Sequence, residues 1–288
     1  RLDKKKTASN YICAFKHFKR FRGDQDIAIE DLTVGQMKDF QSYLIGEGLR
    51  MNTISLYNRE LRAVYNYALD EEIIQMDKRP FRKSFTGQEK TRKRAVDGGV
   101  VKRLAILSLI DKEMLGFARD LFLFSIYMQG MPFIDMAYLK KEQVRNGCIT
   151  YQRRKTNRQL RVKIHPQAQI IIDRYMVSDP GCPYLFPILY DPEKKTEREY
   201  SSALRVYNKR LDSLSSLLEL DEPLTSYVAR HTWASLARQC GTSDTVISEA
   251  MGHSHVGVTT IYLASLDIGM VAMANQRVIT SLFRKRIP

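Results

Sequence analysis

Four side chains in the second half of the sequence have the chemistry to break a phosphodiester without a metal ion: Lys155, Arg230, His253 and Tyr262. Lys155 lies in the run Arg153-Arg154-Lys155-Thr156, and Arg230 in Tyr227-Val228-Ala229-Arg230-His231. His253 follows Gly252, and Tyr262 stands nine residues further on. Phosphodiester cleavage needs a nucleophile at phosphorus, donors for the equatorial oxygens, and a proton donor for the leaving 5′ oxygen. Tyrosine, arginine with histidine, and lysine fill those roles in turn. Taken singly, each residue has a plainer explanation: a packed tyrosine, an interior or helix-end histidine, a surface lysine. Their order and spacing carry the functional reading. No paired carboxylates at Mg²⁺-like spacing compete with them. Cys13, Cys148, Cys182 and Cys240 lie far apart with no CxxC, so neither a disulfide framework nor a structural zinc site is expected, and a reducing cytosol fits.

The charge distribution points to a polyanionic partner. In 288 residues there are 46 Lys and Arg against 32 Asp and Glu, a net of +14. Residues 1–77 are balanced, with 12 basic and 12 acidic residues, whereas residues 78–94 hold eight basic residues and one acid. A second basic stretch, residues 151–163, adds six positive charges without an acid. Lys90, Arg92, Lys93 and Arg94 in the first stretch, and Arg153, Arg154 and Arg158 in the second, are the candidate DNA-phosphate contacts. The competing reading of each run is a solvated surface. No apolar run approaches the ~20 residues of a membrane span. The opening residues lack the apolar core of a secretory signal and read as the middle of a longer chain.

The positioning elements follow from periodicity. Tyr11, Phe15, Phe18 and Phe21 recur at helical steps, Thr33 caps a second predicted helix ending near Gly46 and Gly48, and Asn52 caps a third. Residues 78–94, with Pro80 and Gly87, show no apolar period and read as a linker. Residues 117–128 are apolar nearly all round, which predicts a buried helix. Residues 148–151 and 160–164 read as two strands joined by the basic turn, with a helix opened by Pro166. A loop spans 178–192. Helices are expected near 199–219, 225–240, 243–251 and 267–284. The fold class is therefore mainly α with a small antiparallel β-sheet (α+β).

The stretches GMPFIDMAYLKK (130–141), RRKT (153–156), LTSYVARHTWAS (224–235) and ISEAMGHSHVGVTTIYLASLD (247–267) resemble the tyrosine recombinases of the phage-integrase family. The resemblance covers nearly the whole chain and is strongest toward integrases of conjugative transposons and similar mobile elements. It implies a helical, SAM-like core-binding domain over 1–80, a basic interdomain linker over 81–95 and a catalytic domain over 96–288, which together clamp duplex DNA. It implies Tyr262 as the nucleophile of a 3′-phosphotyrosyl link, Arg230 as the second catalytic arginine, His253 at the later His/Trp position, and Lys155 as general acid. Asp135 falls at an acidic position that orients the site. No nucleotide cofactor or metal is implied. The implied setting is bacterial, cytoplasmic and nucleoid-associated. The implied partners are recombination-site DNA, three further copies in a tetramer on DNA to which the apolar tail after Asp267 docks, and accessory directionality proteins.

Two positions depart from the family pattern. Tyr227 stands where a His or Lys is usual; its hydroxyl donates but is neutral. The first catalytic arginine normally follows a Thr-Gly-Leu-like triplet, and Gln129-Gly130-Met131-Pro132 places a proline there. Arg153, Arg154 and Arg158 are the candidate substitutes. Three functions remain open on these grounds: DNA integration or excision, a DNA-binding relative that has lost catalysis, and a swivelling topoisomerase.

Overall fold

The computed structural model describes residues 5–23, 25–89 and 94–253. The chain divides into two compact units, Arg1–Arg92 and Lys93–Pro288.

The first unit is a bundle of three helices, α1 (Lys5–Phe21), α2 (Val34–Gly46) and α3 (Met51–Asp70). Its core is formed by Phe18, Met37, Phe40, Leu44, Ile54 and Tyr65, with Phe81 packed in from beyond the helices. Each such side chain contributes about 1.5–3 kcal/mol relative to exposure. Thr33 begins α2 through a capping box with Gln36, as its position predicts. Two expectations fail. Phe15 is 60% exposed, because Ala14 and Phe18 define the inward face of α1. Asn52 does not cap α3; Arg50 occupies that place. Asn52 sits inside the first turn and exchanges two hydrogen bonds with the Glu89 backbone, at 3.1 and 2.8 Å. Ser55 donates to Gly87 O, and Asn58 donates to Phe85 O at 3.0 Å. Of the stretch read as linker, residues 81–89 are thus held against the first unit by its own helices.

The second unit is built around α5 (Glu113–Tyr127), buried on nearly every side from Ala118 to Ile126 as its composition predicts. It packs against α4 (Gly98–Ile106), α7 (Pro166–Tyr175), α8 (Tyr200–Leu217) and α9 (Val228–Gln239). The helices α6 (Phe133–Ala137) and α10 (Asp244–Ala250) are short. Strands β1 (Val144–Arg145), β2 (Cys148–Gln152) and β3 (Gln159–Lys163) form an antiparallel sheet in that order. Ile149 pairs with Val162 and Tyr151 with Leu160, which puts four apolar side chains on the buried face and leaves Gln152–Gln159 as the last pair before the basic turn. A second, two-stranded sheet, β4 (Tyr190–Asp191) with β5 (Thr196–Glu197), lies within and just after the stretch read as loop. Among the described residues no helix is long and apolar enough to cross a membrane.

Candidate active site

Two helix ends create the site. Helix α10 stops at a Schellman motif: His253 N donates to Ser248 O at 3.0 Å and Gly252 N to Glu249 O at 2.9 Å. Gly252 takes the left-handed conformation this cap requires, φ +63°, and an added Cβ would lie 2.9 Å from Leu160 Cδ1. Helix α5 ends similarly, with Gln129 (φ +59°) and Gly130 (φ +69°) turning the chain toward Pro132, which opens α6. A Cβ on Gly130 would meet Arg230 Cα at 3.2 Å.

Arg230, the third residue of α9, is 1% exposed. Its Nη1 donates to Gly130 O at 2.7 Å and its Nη2 to Met251 O at 2.6 Å. The guanidinium therefore rests on carbonyls at the C-terminal ends of α5 and α10, where helix dipoles favour a cation. Nη2 also lies 3.0 Å from His253 Nε2. Arginine can only donate, so Nε2 accepts and the ring proton of neutral His253 sits on Nδ1. Burial, with the charges of Arg230, Arg153 and Lys155, lowers the His253 pKa to about 3. The imidazole is neutral at physiological pH.

Arg153 departs most from expectation. Read as an exposed phosphate contact, it is instead 3% exposed. It directly precedes the turn apex, where alternation along β2 points its side chain inward like Tyr151. Its Nη1 donates to Gly252 O at 2.9 Å, and its Nε lies 3.9 Å from Asp135 Oδ2. Asp135, on the first turn of α6, is also 3% exposed, and its Oδ1 accepts the Arg154 N–H at 3.0 Å. Burial raises its carboxyl pKa, and that N–H with the charges of Arg153, Arg230 and Arg154 opposes the rise. Tyr151, beside this group, has its hydroxyl pKa raised by burial and by the Asp135 charge.

Lys155 is exposed at the turn. Arg154 and Arg158, also read as phosphate contacts, both have partners: Arg154 lies over the Tyr138 ring at 3.8 Å, and Arg158 donates to His253 O at 3.1 Å. Tyr227 is 44% exposed, its ring edge-on to His231 at 5.3 Å between centroids. Arg94 is exposed. Tyr262, Lys90, Arg92, Lys93 and the tail helix expected near 267–284 lie outside the described residues. The structure thus brings Arg230, His253, Arg153, Asp135 and the Lys155 turn together. What the sequence reading lacked was the backbone: the carbonyls of Gly130, Met251 and Gly252, signalled only by glycines just past helix ends. Among the described residues no group of three or more His, Cys, Asp or Glu is placed to hold a metal ion.

The profile of the phage integrase SAM-like domain matches residues 1–85, and that of the phage integrase family matches residues 103–267. No curated protein matches the sequence significantly. Among solved structures, the chain is similar to the Tn1549 transposon integrase in complex with transposon right end DNA, at 13% identity and TM-score 0.73, covering 94% of each chain. It is similar to a lambda integrase dimer bound to a COC′ core site, at 16% identity and TM-score 0.69, covering 93% of this chain and 94% of that one. A lambda integrase tetramer bound to a Holliday junction gives 16% identity and TM-score 0.71, covering 93% and 76%. At these identities the structural likeness shows the fold.

Proposed function

Because the chain belongs to the phage integrase family and is a site-specific tyrosine recombinase, we propose that it cleaves and rejoins DNA through Tyr262, to integrate or excise a mobile element. The Tyr262 hydroxyl gives up its proton to solvent as its oxygen attacks the scissile phosphorus, the bond to the 5′ oxygen breaks, and Lys155 gives that oxygen its proton. A 3′-phosphotyrosyl ester keeps the bond energy until a second 5′ hydroxyl attacks it and the tyrosine leaves. Arg230 stabilises the non-bridging oxygens. His253, fixed as the Nδ1–H tautomer, offers one neutral donor. The observation that carries this reading is the convergence of Arg230, His253 and the Lys155 turn on two helix ends.

The non-catalytic alternative rested on the missing first arginine. Pro132 cannot replace it, having neither charge nor an N–H. Arg153 supplies a second guanidinium from a different element, buried beside Arg230 and aligned by Asp135 and Gly252 O. Among the described residues nothing accepts from its Nη2, which is the donor we assign to the phosphate. Similarity to integrases captured on DNA as a dimer and as a tetramer supports recombination-site duplexes and a homo-tetramer as the working assembly.

The test is a nicked suicide substrate bearing the element's end, with covalent adduct read on a denaturing gel. Tyr262→Phe is expected to bind DNA within about twofold of the parent and form no adduct, because only the attacking atom is lost. Adduct formation by the Phe variant at the parent rate overturns the assignment.

A further inference from the structure

The turn carrying Lys155 is fastened to the chain just past α10 by three side chains. Arg153 Nη1 and Thr156 Oγ1 both donate to Gly252 O, at 2.9 and 3.2 Å. Arg158 Nη1 donates to the next carbonyl, His253 O, at 3.1 Å. The turn is also closed on itself. Arg153 N donates to Arg158 O and Asn157 N to Arg153 O, both at 2.8 Å, and Gln152 Nε2 donates to Asn157 O at 3.2 Å. A turn tied internally at both ends moves as one body, so its outward bonds fix where Lys155 goes. The carbonyls that receive those bonds belong to the Schellman cap that fixes His253, and their lone pairs lie beyond the reach of helical amides.

We propose that Thr156 and Arg158 are positioning residues that lock the Lys155 turn to Gly252 and His253, so that general acid and imidazole are held as one unit. This rests on Lys155 being the acid. Neither residue has another evident task. The Arg158 side chain is 44% exposed, so packing does not explain it, and its second terminal nitrogen lies 3.9 Å from Glu249 rather than standing free for a phosphate. Thr156 has one hydroxyl proton, and it goes to Gly252 O.

A bridging 5′ sulfur at the scissile position separates this role from others, because a thiolate leaves without protonation. On the ordinary oxygen substrate, Lys155→Ala is expected to lose roughly 10²–10⁴ in adduct rate. Thr156→Val and Arg158→Gln are expected to lose about tenfold through misplacement of the lysine. On the sulfur substrate all three should return to within about threefold of the parent. For Thr156→Val and Arg158→Gln, DNA affinity and its salt dependence should not change. If Lys155→Ala recovers on sulfur but the other two do not, the positioning role is wrong. If Arg158→Gln flattens the salt dependence, that residue is a phosphate contact. If Lys155→Ala itself fails to recover, the acid assignment falls and this proposal with it. Should Arg158→Gln unfold in a thermal melt, Thr156→Val decides, since it keeps the side chain's shape and removes only the hydroxyl.

Discussion

The core of the first unit and the candidate site of the second are built on opposite terms. In the first, Met37, Phe40, Leu44 and Ile54 are fully buried and apolar, and the buried polar side chains Ser55 and Asn58 are uncharged and, with Asn52, hold residues 85–89. In the second, the apolar core around α5 is joined by a site where Arg230, Arg153, Asp135 and His253 are all 1–3% exposed. An apolar core tolerates small displacements because its contacts are many and non-directional. A buried guanidinium has no such latitude, since each lost hydrogen bond leaves charge without a partner. The apolar core is a source of stability, and the charged site spends stability to hold cations in place.

Three measurements break or sharpen that contrast. The largest effect is expected from Arg153→Gln, which removes the charge: adduct formation should fall roughly 10²–10³-fold, about 3–4 kcal/mol of transition-state stabilisation. A neutral methylphosphonate at the scissile position should relieve much of the loss, because the missing cation then has less charge to meet. On the proposed role of Arg153, Gln129→Arg alone should change the parent rate less than about twofold. A tenfold gain from Gln129→Arg would return the first-arginine role to the α5–α6 turn.

The intermediate effect is pH-dependent. His253 has its folded pKa lowered to about 3 from an ordinary 6.5, so its contribution to stability is complete above pH 6.5 and is lost as pH falls toward 3. The slope approaches ~1.4 kcal/mol per pH unit across that window. Asp135, raised rather than lowered, acts in the opposite sense, so the informative quantity is the difference between the parent and His253→Gln in denaturant unfolding at pH 7 and pH 5. Identical slopes would show that the imidazole is not held neutral. The smallest effect is expected in the first unit. Asn52→Ala should cost about 1 kcal/mol and speed amide hydrogen exchange at residues 85–89. Unchanged protection there would mean that these residues are not tethered by α3.

The same contrast explains what the sequence made legible. Helices, the β2–β3 hairpin and the buried character of α5 follow from periodicity, which reports apolar faces. The fold class was within reach for that reason. Periodicity is silent on a charged centre, and the burial of Arg153 was missed because RRKT looks like any solvated basic turn. The strand's alternation held the clue: with Tyr151 facing inward, Arg153 faces the same way. Asn52 was misread because Asn near a helix start usually caps it, while here its carboxamide serves residue 89, 37 positions away. The second small sheet escaped because two-residue strands carry no pattern.

The carbonyls that hold the two arginines have a thermodynamic consequence. A carbonyl accepts a hydrogen bond without cancelling charge. Among the described residues, the carboxylate recorded beside Arg153 and Arg230 is Asp135, with His253 neutral and Lys155 adding a further positive charge nearby. Among the described residues the site thus carries a local surplus of positive charge that a bound anion balances. Polyanion binding and folding are then linked by mass action: a duplex should raise the unfolding temperature of the second unit in proportion to the logarithm of its concentration, and salt should erode that gain.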